Sequence, residues 1–305
     1  MKMKKVIALL SVTSLLVLSL AGCGGNKDAA DNTGDTASNA AEWDDTSDIT
    51  IVSREDGSGT RGAFIELFGI EEKINDEKVD QTTEEAQITN STSVMLTTVA
   101  KDEYAIGYVS LGSLDDSVKA LKIDGAEATA ENIKAGTYKV SRPFNVAMKK
   151  DADNEVAKDF LNFILSKEGQ EVISDNGYIP LDDVKAFEGT QPSGKAVIGG
   201  SSSVSPVMEK LIEAYKKLNP NAELELQTTD STTGMTSTID GSYDIGMASR
   251  ELKDTELSGG LEATVIATDG IAVIVNKSNP IDDMTSEQVK NIYIGNALTW
   301  DEVTK

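Results

Sequence analysis

Histidine is absent and cysteine occurs once in the 305 residues. With one cysteine there is no intrachain disulfide. Without histidine there is also no Cys/His zinc site, no Ser–His–Asp triad and no Cys–His nucleophile pair. Basic residues are scarce: 28 Lys and Arg stand against 51 Asp and Glu, a formal charge of −23. Such a balance argues against nucleic acid or an anionic membrane surface as the main partner, because both repel it. The apolar region near the start, Val6 to Leu20, has 15 residues, short of the about 20 that a spanning helix needs. What is present, 39% hydrophobic and 26% charged residues, is the composition of a globular protein. The length suits two domains of ordinary size or one large one.

The basic stretch Met1–Lys5, the apolar region and the small residues leading to Cys23 read as a signal peptide over residues 1–22. Leu20-Ala21-Gly22-Cys23 resembles a bacterial lipobox. That resemblance implies cleavage before Cys23, a diacylglyceryl group on its sulfur, and acyl chains such as palmitate that hold a soluble body at a membrane. Loss of Lys2, Lys4 and Lys5 would take the side-chain charge from −23 to −26. Residues 23–42 are small and acidic with no aromatic and no periodicity, and read as a solvated tether.

From about Asp48 onward, short apolar runs alternate with amphipathic stretches. Ile49–Val52, Ala105–Val109, Ala196–Ile198, Leu224–Leu226, Asp244–Met247 and Ile271–Val275 read as strands. A helix is expected through Phe64, Leu67 and Phe68. Another follows Val156, Phe160, Leu161, Ile164 and Leu165 toward Gly169 or Asn176-Gly177, and a third carries Val207, Met208, Leu211, Ile212, Tyr215 and Leu218. Ser205-Pro206 suits the cap and first turn of that third helix. Alternating strands and helices imply an α/β fold with a largely parallel sheet. In such sheets ligands bind at the carboxyl ends of strands, where helix N-termini present free N–H groups.

Four segments rich in small hydroxyl residues fall at such positions: Ser53–Thr60, Gly199–Pro206, Asp230–Gly234 and Ala248–Glu251. Ser, Gly and Thr are ordinary cap and turn residues, so one such segment alone means little. Four together, each after an expected strand, can offer hydroxyl and N–H donors to a small oxyanion. Arg54 is the natural source of charge, because its planar fork matches phosphate or carboxylate oxygens. A structural ion pair of Arg54 with Glu55 or Asp56 is the alternative, and the two roles are compatible. Gly189–Lys195 has the G-x4-G-K spacing of a phosphate-binding P-loop. Ala196 replaces the Mg²⁺-ligating Ser or Thr, however, and a strand is expected where a helix should follow.

Taken together, Val52–Thr60, Gly200–Pro206, Asp230–Gly234 and Asp244–Leu252, with Gly177-Tyr-Ile-Pro180, resemble the substrate-binding lipoproteins of bacterial ABC phosphate importers, the PstS type. The resemblance runs over nearly all of residues 43–305. It implies a two-lobed α/β clamshell of the type II periplasmic-binding fold that closes on one phosphate ion. By matching motif, Arg54, Ser58, Gly59 and Thr60 would contact phosphate from one lobe, and Ser202, Ser203, Ser231 and Ser249 from the other. In the family pattern the Gly-Ser-Ser and Ser-Thr-Thr-Gly segments come first and the Arg-x-Asp-Gly-Ser-Gly-Thr loop lies in the middle. Here that loop comes first, so the chain looks circularly permuted. Trp43-Asp-Asp echoes Trp300-Asp-Glu, as tandem duplication and trimming would leave; coincidence and a fragment of a tandem array are the alternatives. A permuted chain would have one lobe discontinuous, 43–138 with 277–305, and the other continuous, 139–276. The crossings are then expected near Val140–Pro143 and Val275–Lys277.

Phosphate in the HPO₄²⁻ form has oxygens that accept hydrogen bonds and one proton that must be donated. A carboxylate receiving that proton would reject sulfate, which has none. The family places an Asp beside the Ser of the Ala-Ser segment, whereas here Arg250 and then Glu251 follow Ser249. Asp56, Asp230 and Glu251 are therefore candidate acceptors, with Asp230 preferred. Arg250 either adds positive charge or pairs with a carboxylate. The resemblance implies a non-enzymatic, extracytoplasmic, monomeric binder without metal or cofactor, which hands phosphate to a membrane-embedded ABC permease and meets the membrane through its lipid anchor alone. A sulfate binder, a phosphate sensor or scavenger without a transporter, and a carboxylate-based phosphate-ester hydrolase are the competing readings.

Overall fold

The computed structural model describes residues 43–304 apart from Asp76. The expected signal peptide, the lipidated Cys23 and the tether through residue 42 lie outside the described residues. Among the described residues, no helix is long and apolar enough to cross a membrane.

The apolar runs form the strands of a nine-stranded sheet. Eight of them concern the site: β1 (Thr50–Arg54), β2 (Gln87–Thr89), β3 (Ala105–Ser110), β4 (Ser141–Lys149), β5 (Gly194–Ser201), β6 (Ala222–Thr229), β7 (Ile245–Ala248) and β8 (Leu261–Val275). Their order is β6-β5-β7-β4-β8-β3-β1-β2. The largely parallel sheet expected from strand–helix alternation is corrected by the pairing. Two parallel groups, β6-β5-β7 and β3-β1-β2, are joined by β4 and β8, which run antiparallel to each other and to their outer neighbours. Strand β8 is 15 residues long, far longer than its apolar core Ile271–Val275, because its first part pairs with β4 and its last part with β3. Polar residues at 262, 264, 268 and 269 hid that first part from an apolar-run reading.

Apolar side chains gather chiefly in two cores. One joins Ile51, Phe64, Tyr108 and Tyr138 to Ile271, Val273, Tyr293 and Trp300. The other joins Phe144, Val146 and Phe160 to Ile198, Leu211, Tyr215, Met247 and Ala267. The chain passes from the first core to the second between Val140 and Phe144, and returns between Ala267 and Ile271. The return thus precedes the expected crossing near Val275–Lys277, since Ile271, Val273 and Val275 already pack in the first core.

Helices start where polar caps accept their free N–H groups. Ser58 caps α1 (Gly59–Leu67), Ser91 caps α2 (Thr92–Lys101), Asn154 caps α3 (Glu155–Ile164), Ser166 caps α4 (Lys167–Asp175) and Asp230 caps α6 (Ser231–Ile239). Helix α5 (Ser205–Leu218) begins with Ser205 and Pro206 in its first turn. Its cap position is Val204 rather than the expected Ser205, whose hydroxyl turns back to the Ser201 carbonyl. The single amphipathic helix expected beyond Val156 is two helices. Ser166 interrupts it by donating to the Phe163 carbonyl while accepting from the Gly169 N–H. The echoing tryptophan segments pack on each other: the rings of Trp43 and Trp300 meet edge to face at 5.9 Å, and Ile49 N–H donates to the Leu298 carbonyl at 2.7 Å.

Candidate functional site

Strand β1 ends at Arg54, and the turn Glu55–Ser58 leads straight into α1. Tyr108 on β3 fixes this turn from below. Its hydroxyl takes the Arg54 N–H at 3.2 Å and shares a proton with Ser53 Oγ at 2.9 Å. Its ring stacks on Phe64 of α1 at 3.9 Å. Burial pushes its phenol up to about 12, so it stays a neutral donor. Arg61 braces the turn from outside by donating to the Arg54 carbonyl at 2.7 Å while pairing with Asp56 and Asp80.

The Arg54 guanidinium is held edge-on by Glu55, which accepts from Nε at 2.8 Å and from Nη2 at 2.7 Å. Both carboxylate oxygens on one edge fix the plane of the fork. Its remaining reach goes to hydroxyls: Nη2 donates to Ser202 Oγ at 3.1 Å and Nη1 to Thr92 Oγ1 at 3.5 Å. Thr60 Oγ1 lies 2.8 Å from Ser203 Oγ, a contact between positions 143 apart in the chain. On the other side of Gly59, Ser201 donates to Ser249 Oγ at 2.9 Å, and Ser249 N–H donates to Ser231 Oγ at 3.1 Å. Gly59 is needed there. A β-carbon would fall 2.7 Å from Ser249 Oγ and closer still to Ser231 Oγ. Arg54, Ser58, Thr60, Ser202, Ser203, Ser231 and Ser249 are each at most 8% exposed.

The cluster therefore brings one guanidinium, a fan of hydroxyls and the first turns of α1 and α6 to one water-poor place. Charge-assisted hydrogen bonds are worth most in such a setting, because solvent does not compete. Ser58 faces its own helix, its Oγ taking the Arg61 N–H. The acidic candidates lie differently. Asp56 is an exposed partner of Arg61, and Glu251 is exposed. Asp230 caps α6 through Thr233, yet its carboxylate abuts Gly57, where a β-carbon would collide with it. Arg250 forms a two-pronged pair with Glu256 at 2.8 and 2.9 Å and also reaches Thr232. Pairing with a carboxylate is one of the two roles considered for it.

Sequence reading missed Thr92 and Tyr108. Thr92 lies in Thr89-Asn-Ser-Thr-Ser93, a hydroxyl run of the same kind as the other four. The strand before it, Gln-Ile-Thr, is too short and too polar to mark the position. Tyr108 looks like any core aromatic until the fold sets it under the turn.

A sheet crossed by two antiparallel strands, with hydroxyls from both cores meeting one guanidinium, defines a two-lobed solute-binding protein. A family model described as a PBP superfamily domain matches residues 19–168 and 186–305. The chain is 56% identical over 307 residues, all of both chains, to the phosphate-binding protein PstS 2 of Streptococcus agalactiae serotype V. It is 40% identical over 304 residues to the protein of that name from Streptococcus pneumoniae serotype 4, covering 99% of this chain and 100% of the relative. The crystal structure of a phosphate-binding protein of a phosphate ABC transporter from Streptococcus pneumoniae TIGR4 aligns over 84% of this chain and 100% of its own, with a TM-score of 0.67 and 42% identity. The chain belongs to the PBP superfamily and, within it, to the PstS phosphate-binding proteins. The alignments with the two relatives span both chains, so those relatives share its order of segments.

Proposed function

We propose that this chain captures inorganic phosphate between its two lobes and delivers it to a membrane-embedded ABC permease. The observation that carries the reading is the convergence of Arg54 with Thr60, Ser202, Ser203, Ser231 and Ser249 in one buried cluster. Arg54, oriented by Glu55, supplies charge and two N–H donors. Ser58, Gly59 and Thr60 contribute the first turn of α1, and Ser202, Ser203, Ser231 and Ser249 contribute the facing lobe. Hydroxyls that bond one another turn their protons to phosphate oxygens with little movement. Among the carboxylates, Asp230 is the proposed acceptor of the phosphate proton, since it abuts the turn whereas Asp56 and Glu251 face solvent. The net charge of −23 does not oppose this, since distant charges are screened beyond about 8 Å.

The lobes of this reading comprise 43–138 with the C-terminal segment, and the stretch from 139 to the return of β8. Their order relative to the PstS pattern with the Gly-Ser-Ser segment first is that of a circular permutation. The chain acts outside the cytoplasm as a monomer, tethered through lipidated Cys23 by residues 23–42. A clamshell of this kind binds in the micromolar to sub-micromolar range, about −8 to −10 kcal/mol. Calorimetric titration with phosphate and then sulfate, at about pH 8 where phosphate is largely dianionic, tests the reading. One-to-one phosphate binding with no sulfate heat is expected. Binding of sulfate instead would move the ligand and remove Asp230 from its role.

A further inference from the structure

Thr92 is the first residue of α2, and its hydroxyl meets groups outside that helix. Two threonines inside helices, Thr97 and Thr238, donate back to the carbonyls of Ser93 and Gly234 four residues earlier, both at 2.8 Å. Thr92 instead lies 3.3 Å from both Ser202 Oγ and Ser203 Oγ and 3.5 Å from Arg54 Nη1. It is 4% exposed. It therefore touches the guanidinium from its own side of the molecule and two hydroxyls, 110 and 111 positions away, from the other. Beside it a cavity of about 410 Å³ opens between α2 and α5, walled by Thr92, Ser93 and Leu96 on one side and Ser202, Ser205 and Pro206 on the other. Thr92 thus lines this cavity and also reaches Arg54.

We propose that Thr92 is a further ligand contact of the phosphate site. Its hydroxyl donates to the oxygen that Arg54 Nη1 and Ser202 also approach. This rests on the phosphate reading above. Arg54 is held in place by Glu55 within its own lobe, so it captures the anion before closure, whereas Thr92 completes its contacts only when Ser202 and Ser203 arrive. Thr92 accordingly slows release more than it speeds capture.

The test is calorimetric and stopped-flow titration of the full chain and its Thr92→Val and Thr92→Ser variants with inorganic phosphate. Loss of a hydroxyl donor to a charged acceptor should weaken binding about tenfold. Thr92→Val is expected to dissociate about tenfold faster with association unchanged within about twofold, and Thr92→Ser to bind within about threefold of the parent. A parent chain that does not bind phosphate overturns the ligand itself. A parent that binds, with Thr92→Val equal to it, overturns the Thr92 contact alone, as does slower association with unchanged dissociation. Should Thr92→Val fail to fold, Thr92→Ser is compared with Thr92→Ala, and equal affinities of those two overturn the proposal.

Discussion

Among the described residues two guanidiniums are buried, each beside a carboxylate, and they are built to opposite ends. At Arg54 the carboxylate is the next residue, Glu55, and it grips one edge of the fork while the rest reaches side-chain hydroxyls. At the crossing between the cores, Arg142 of β4 meets its register partner Asp269 of β8, with Nε at 3.2 Å and Nη2 at 3.1 Å from Oδ2. Ser110 of β3 donates to the other oxygen of Asp269 at 2.8 Å, and the guanidinium lies over the Phe144 ring at 5.4 Å. Arg142 and Asp269 have side chains 2% and 0% exposed. A local carboxylate leaves a guanidinium free to receive a ligand. A carboxylate from the neighbouring strand uses the guanidinium to tie the crossing strands together.

The largest effect should come from breaking the crossing pair. Asp269→Ala leaves Arg142 charged, buried and unpaired, and should cost about 3–5 kcal/mol of stability, measured by denaturant unfolding. A cost below about 1 kcal/mol would make the pair dispensable. Arg54→Met should weaken phosphate binding by at least about a hundredfold, since it removes two charge-assisted donors, with the circular dichroism spectrum unchanged. Unchanged affinity would remove Arg54 from the site. Gly59→Ala pushes a methyl against Ser231 and Ser249 across the cleft, and should lose about tenfold in affinity, within the usual range for overpacking. An affinity equal to the parent would mean that the two lobes need not approach so closely there.

The smallest effect is one of pH. Burial pushes the Asp269 carboxyl up to about 6, against the pull of Arg142. A carboxyl raised in the folded state binds protons more tightly there than in the unfolded chain. Its contribution to stability is therefore complete in acid and is lost as pH rises through about 6. Between about pH 5 and pH 7 the parent should lose about 1 kcal/mol relative to Asp269→Asn, which carries no proton to lose. A constant difference between the two would contradict the raised value.

Much of the candidate site is legible in the sequence because its chemistry is local. Ser53–Thr60 carries strand end, guanidinium, orienting carboxylate and helix cap in eight consecutive residues, and Asp230–Gly234 carries a cap and the following turn. What stayed hidden depends on pairing at a distance. The antiparallel course of β4 and β8 left no mark in strand–helix alternation. Arg142 and Asp269 stand 127 positions apart and look like surface charges until register joins them. Thr92 follows a three-residue strand whose polar sequence hides it. The sequence leaves Arg250 two roles. Its carboxylate partner is Glu256, six residues on and buried.

The most direct test of the central claim is a crystal structure of the chain grown with phosphate. One tetrahedral ion should lie between Arg54 and the hydroxyls of Thr60, Ser202, Ser203, Ser231 and Ser249, with both lobes in contact with it. An ion held by one lobe alone, or bound away from Arg54 in a folded chain, would contradict the account.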